Sequence, residues 1–367
     1  MKLSEIISRA EKEIPLHYQE AYDRSGLQVG SKNWEVKKVL FAYDACHEVI
    51  EEAIKKKAQL IVTHHPLSMK DYRQINLDTY EGAIIEKAIQ NKIAIYSFHT
   101  NHDASLLSLN RHYANELGLK KIRVIQATNE TPFYKLIVYV PQTHTSQVME
   151  ALFAAGAGHI GNYSHCSFRG AGKGTFTGNE KSNPFLGKPG IREEAIEDKL
   201  ETVVEKINLN KILEQMLLAH PYEEVAYDVI PLTNVRSQIG HGIFGTLEKK
   251  TPVKAVITQI KKIFGIQNLV FVGDKTKLIQ SIGLCTGSGT SLLNDVFKNK
   301  IDLFITGDVK YHYGVEALRH EVCVVDVGHF HSEIKSIEIL KDLFDQWFGS
   351  SLNLQVYRGL KNPLQFI

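Results

Sequence analysis

The sequence predicts an α/β protein: two α/β lobes facing one cleft, with an inserted ferredoxin-like α+β domain between them. Three observations carry this. Short β-branched runs such as Leu60–Thr63 and 301–306 alternate with amphipathic stretches, the pattern of βαβ units around a largely parallel sheet. The alternation changes character near residue 129 and resumes near 240. At 367 residues the chain is also too long for one ordinary core. The expected divisions are residues 1–128 for the first lobe, 129–236 for the insert and 237–367 for the second lobe.

Leu3, Ile6, Ile7 and Ala10 recur at helical spacing, so an amphipathic helix over 2–13 opens the chain. A turn-rich segment, 22–30, leads to a strand. Residues 38–43 read as a second strand, and Asp44 stands where an N-cap would start a helix around 46–57. The Leu60–Thr63 strand then ends in His64-His65-Pro66, because proline offers no N–H to a ladder. A helix over 80–91 and a strand over 92–98 follow, and that strand also ends in ligand-type residues, His99-Thr100-Asn101-His102-Asp103. Right-handed crossovers bring the C-terminal ends of parallel strands to one edge, where open α/β sheets bind ligands.

In the insert, strand 134–141, helix Thr145–Ala155, a Gly-rich hairpin over 159–178, strand 201–207, helix Leu209–Ala219 and strand 225–230 give the β-α-β-β-α-β order of a ferredoxin-like module. Gly170-Ala171-Gly172-Lys173-Gly174-Thr175 resembles a phosphate-binding loop, but Gly174 breaks the required order, so a hairpin turn is expected. His220-Pro221 reads equally as a helix end or a ligand. In the second lobe, strand 281–285 runs into Gly287-Ser288-Gly289, either a tight turn or an anion-binding nest. Strand 301–306 ends in Gly307-Asp308, a helix covers 314–320, and strand 322–327 ends in Gly328-His329 with Glu333 four residues on. The two lobes thus share a layout: a strand ending in His-x-x-x-Asp or His-x-x-x-Glu.

Composition narrows the partners. The chain is 43% hydrophobic and 23% charged with a net charge of +2, and its basic residues form only short clusters such as Lys55-Lys56-Lys57. Nucleic acid is therefore not an expected partner. No apolar run approaches the ~20 residues that span a bilayer, and residues 1–5 lead into a charged helix without a signal-peptide block. Cys46, Cys166, Cys285 and Cys323 form no C-x-x-C pair. A reduced, cytoplasmic setting is expected, with neither disulfide scaffold nor membrane contact.

His329 and Glu333 lie four apart at a helix start and so project from one face. With His64, His65 and Asp103 they supply three nitrogens and two carboxylates, few for two closed sites but enough for one shared dinuclear site with a bridging carboxylate. Zinc, manganese, iron and magnesium are all compatible with such a set, magnesium least because of the nitrogens. Any one of these histidines read alone is a helix cap; five ligand-type residues at one kind of sheet edge favour a metal. His99, His102, His312 and His331 are expected around the ligands or facing substrate, with His99 and His331 as candidates for moving a proton.

Thr63-His64-His65-Pro66, His99-Thr100-Asn101-x-Asp103 and Gly328-His329-x-x-x-Glu333 together resemble the metal motifs of the NGG-interacting-factor-three-like family, whose bacterial members are named GTP cyclohydrolase type 2 homologues. Tyr22-Asp23-x-x-Gly26-Leu27-Gln28-Val29-Gly30 and Thr306-Gly307-Asp308 are similar to further motifs of that family, although Arg24-Ser25 departs from its usual residues. The resemblance covers about 1–128 and 238–367. It implies two divalent ions per subunit, zinc first with manganese or iron as alternatives, bound by His64, His65, Asp103, His329 and Glu333, and a toroidal homohexamer. The insert, with 220–228, is similar to the PII-like and CutA-like trimeric modules of longer family members. The expected function is a metal-dependent hydrolase acting on an unknown small substrate, GTP by family name only. A non-catalytic metal-holding scaffold or regulator, with the insert as sensor or trimerisation device, is the alternative.

Overall fold

Alternating apolar residues in the short strands dictate two-sided burial, and this is how the lobes are built. The computed structural model describes residues 1–127, 133–233 and 238–365; the expected divisions at 128/129 and 236/237 lie outside the described residues. These segments form two compact units, 1–127 with 238–365, and 133–233.

In the larger unit, Lys38–Ala42, Leu60–Thr63 and Ala94–Ser97 are parallel neighbours. Val39, Phe41, Leu60, Val62 and Tyr96 pack on one side against helices Leu3–Glu13 and Ser336–Phe348. Leu40, Ala42, Ile61 and Ile95 pack on the other against helices His47–Lys56 and Tyr80–Gln90, as a period of two requires. Each Val, Leu, Ile or Phe among them, fully buried, contributes roughly 1.5–3 kcal/mol. Gly26–Val29 closes one edge antiparallel to Ala94–Ser97, and Asn353–Val356 closes the other parallel to Lys38–Ala42.

The second sheet has six strands in the order Val270–Val272, Cys323–Asp326, Leu303–Thr306, Leu278–Leu284, Gly240–Pro252, Lys120–Ala127. Its three central parallel strands are Leu278–Leu284, Leu303–Thr306 and Cys323–Asp326. Lys120–Ala127 pairs antiparallel with Gly240–Pro252, and helix Leu109–Glu116 packs into the same core. The two sheets are therefore interlaced along the chain. The N-terminal segment lends a strand and a helix to the second sheet, and the C-terminal segment lends a strand and a helix to the first. Among the described residues no helix is long and apolar enough to cross a membrane.

The smaller unit runs Phe133–Pro141, helix Thr145–Ala155, Ser167–Thr177, Arg192–Glu205, helix Leu209–Ala219, Tyr227–Pro231. Its antiparallel sheet has the order Ser167–Thr177, Arg192–Glu205, Phe133–Pro141, Tyr227–Pro231, the connectivity of a ferredoxin-like module. Residues 170–175 are neither a phosphate loop nor a turn. They lie mid-strand in Ser167–Thr177, paired with Arg192–Glu205. The hairpin is thus longer than the glycines suggested, and its second, inner strand begins nine residues before 201.

Candidate metal centre

The candidate ligands stand on the ends of three strands, Leu60–Thr63, Ala94–Ser97 and Cys323–Asp326. After Thr63 the chain turns: the Thr63 hydroxyl donates to the His65 carbonyl at 2.7 Å, the Ser97 hydroxyl donates to it at 3.1 Å, and His65 N–H reaches the Tyr43 carbonyl at 3.2 Å. That bend turns two adjacent imidazoles to the same side, with ring centroids 4.9 Å apart. His99 follows Ala94–Ser97, and its ring lies 5.3 Å from both His64 and His65. His329 and Glu333 begin and end the short helix after Cys323–Asp326.

Glu333 is the centre of the arrangement. Its Oε1 lies 3.5 Å from His64 Nε2, while Oε2 lies 3.3 Å from His65 Nε2 and 3.0 Å from His329 Nε2. The Tyr43 hydroxyl donates to Oε2 at 2.7 Å. Behind the imidazoles stand three carboxylates on Nδ1: Asp44 on His65 at 2.7 Å, Asp308 on His329 at 2.6 Å and Asp23 on His99 at 2.7 Å. Each fixes its ring and leaves Nε2 facing inward, the support that metal-binding imidazoles use. Asp308 adopts φ 56°, a left-handed conformation that aspartate tolerates better than most residues.

The electrostatics fit a cation. His64 is fully buried, neither of its ring nitrogens has a hydrogen bond, and burial outweighs the pull of Glu333 and lowers it below the ordinary imidazole value. Burial works against charge on His65, yet its bonds to Asp44 and Glu333 prevail and raise it to about 10. Glu333, against the cost of burial and with help from Asp308, raises His329 to about 9. Burial also opposes the charge of Glu333, but His64, His329 and His65 hold it well below the usual carboxylate range. Asp103 is pushed well above that range by burial and then by Glu333, and its Oδ1 is buried without a partner. Buried polar atoms left this way are costly unless something binds them. Among the described residues three groups could each hold a metal ion: His64, His65 and His99; His64, His102 and Asp103; His65, His329 and Glu333.

A match to a family model decides the relationship: the description Duf34/NIF3 (NGG1p interacting factor 3) fits residues 1–363. The chain belongs to the Duf34/NIF3 family. Similar relatives are the GTP cyclohydrolase 1 type 2 homolog of Halalkalibacterium halodurans, 41% identical over 84% of this chain and 82% of that protein, and that of Bacillus subtilis, 34% identical over 99% and 98%. Among solved structures, a Bacillus cereus protein related to NIF3 matches with a TM-score of 0.84 and 34% identity over 100% of this chain and 99% of that one.

Of the candidate residues in this NIF3-family chain, His64, His65, Asp103, His329 and Glu333 all fall in the three groups, as do His99 and His102. His102 is fully buried, with Nε2 against the Leu107 carbonyl at 3.1 Å and Nδ1 without a partner. His331 is in none of the groups and meets Asn362 at 3.4 Å, and His312 is exposed at a helix start. Asp44 is not the expected cap: Cys46 takes that position and the Asp44 carboxylate goes to His65. The 287–289 turn is not an anion nest, because its Gly287 and Gly289 N–H groups donate to the Ser332 and Thr306 hydroxyls. His220 closes a turn, its Nε2 on the Tyr139 carbonyl at 3.0 Å and its Nδ1 accepting the Tyr222 N–H at 3.1 Å.

Proposed function

We propose that His64, His65, Asp103, His329 and Glu333 hold two divalent ions, and that the protein is a metal-dependent hydrolase acting on a small nucleotide or phosphorylated substrate. One observation carries this reading: the two oxygens of Glu333 face different imidazoles, His64 on one side and His65 with His329 on the other. A carboxylate so placed suits a bridge, and Asp103 supplies the further charge beside His64. Ions bound there would lower the pKa of water and polarise an electrophilic substrate carbon or phosphorus. His99, oriented by Asp23, is the side chain placed to carry a proton; His331 is worse placed for it.

The nitrogen-rich donor set suits zinc first, then manganese or iron. The relatives' name points to GTP as one substrate to try. The same reading makes the protein a cytoplasmic toroidal homohexamer in which the insert serves as a PII-like or CutA-like sensor or trimerisation module.

The deciding experiment is a broad metabolite screen, GTP included, of metal-reconstituted wild type against Asp103→Asn. Metal-dependent turnover that the variant loses is the expected result. Turnover of nothing would favour a non-catalytic metal-holding scaffold.

Two substitutions probe the centre without touching a ligand. Gly287 has φ +67°, and a Cβ there would collide with Glu333 Oε1. Gly287→Ala should therefore displace the carboxylate and lower metal content, read by elemental analysis after dialysis. Asp308→Asn keeps the shape but weakens the hold on His329, and should cost roughly 10–100-fold in metal affinity. A competition titration with a chromogenic chelator checks this.

A further inference from the structure

We propose that the insert carries a small-molecule site of its own, for a flat heteroaromatic ring presenting two neighbouring N–H donors, the edge shared by guanine-type and pterin-type rings. The smaller unit contains a cavity of about 750 Å³ lined by Gly172, Gly174, Phe176, Phe185, Glu197 and Tyr222, among others. Ligand sites typically occupy about 300–1,000 Å³.

The cavity lies on the sheet face away from the helices. Leu136, Val138, Val140, Leu200 and Val204 pack with the two helices, so the alternate residues, Tyr139 and Glu197 among them, point to the other side. Gly172 is paired directly opposite Glu197. The glycines keep this floor bare: a Cβ on Gly172 would meet nothing within 4 Å, and one on Gly174 would collide with Glu197 Oε2.

Three rings stand over that floor. Tyr222 has its centroid 6.3 Å from Phe176 and 6.0 Å from Phe185, and Phe185 is half exposed. Such faces suit a planar ligand. Glu197 sets its polarity. The residue is only 8% exposed, and among the described residues its carboxylate accepts a hydrogen bond from the Tyr222 hydroxyl, to Oε1 at 2.8 Å. The neighbouring Lys173 and Lys199 pair with Glu194 and Glu201 instead. A carboxylate lining a cavity is an acceptor for further donors. An N–H beside an NH₂ supplies two to one carboxylate, whereas an adenine edge offers an acceptor beside its amine and inosine lacks the amine.

The test measures equilibrium binding of guanosine, a simple pterin, adenosine and inosine to the full chain by ligand-observed NMR. Saturable binding of guanosine or the pterin is expected, roughly tenfold or more tighter than adenosine or inosine; which of the two binds identifies the ring. Glu197→Gln and the floor-filling Gly172→Leu should each weaken it by roughly tenfold or more while the melting curve is kept. Glu333→Ala, in the other unit, should leave it unchanged. The proposal is overturned by no saturable binding of either probe, by equal binding of adenosine, or by binding that survives Glu197→Gln and is lost in Glu333→Ala.

Discussion

Glu333→Ala is expected to fold and to lose its metal: affinity should drop by more than about 100-fold, beyond the roughly 10–100-fold that follows loss of an orienting partner. The reason is position. Glu333 is 3% exposed and meets His64, His65, His329 and the Tyr43 hydroxyl at once, so no neighbouring carboxylate can take its place. Asp103, the nearest in role, belongs with His64 and His102 and not with His65 and His329. Glu333→Gln should fall between, since an amide oxygen still accepts from Tyr43 but brings no charge to the imidazoles. Elemental analysis of reconstituted, dialysed protein, with circular dichroism to verify the fold, gives the answer. Wild-type metal content in Glu333→Ala and in His64→Ala would remove these residues from the centre.

The strand-end histidines could be read from the sequence because the signal is local: an apolar run that stops at His64-His65, at His99 or at Gly328-His329. The carboxylates behind them could not. Asp44 precedes a helix, and nothing local distinguishes a cap from a partner for His65, which depends on the parallel pairing of Lys38–Ala42 with Leu60–Thr63. Asp23 reaches His99 only because Gly26–Val29 lies beside Ala94–Ser97, a contact across more than seventy residues. Gly287 looked like any turn glycine until Glu333 was placed against it. The interlacing of the sheets was hidden for another reason. Lys120–Ala127 is an edge strand with Lys120, Lys121, Arg123, Gln126 and Ala127 exposed, so its apolar residues are confined to Ile122, Val124 and Ile125, too short a pattern to announce a strand.

That interlacing has an energetic consequence. Phe344→Ala, far along the chain, is expected to destabilise the N-terminal sheet by about 3–5 kcal/mol, the usual loss for a large aromatic in a closed core. Phe344 is 1% exposed, and its ring meets Phe41 edge-on at 5.1 Å and Phe98 at 6.1 Å. Removing it opens a cavity beneath two strands whose next residues matter to the centre: Phe98 precedes His99, and Phe41 lies two before Tyr43. The variant should thus show a lowered denaturant midpoint and, at denaturant concentrations that leave the wild type intact, a lower metal content. Leu340→Ala on the same helix, also 1% exposed, should cost about 2–5 kcal/mol by the same mechanism. A loss below about 1 kcal/mol in both variants, by equilibrium denaturation, would mean that helix Ser336–Phe348 does not seal the first sheet. The site would then stand on the N-terminal strands without support from the end of the chain.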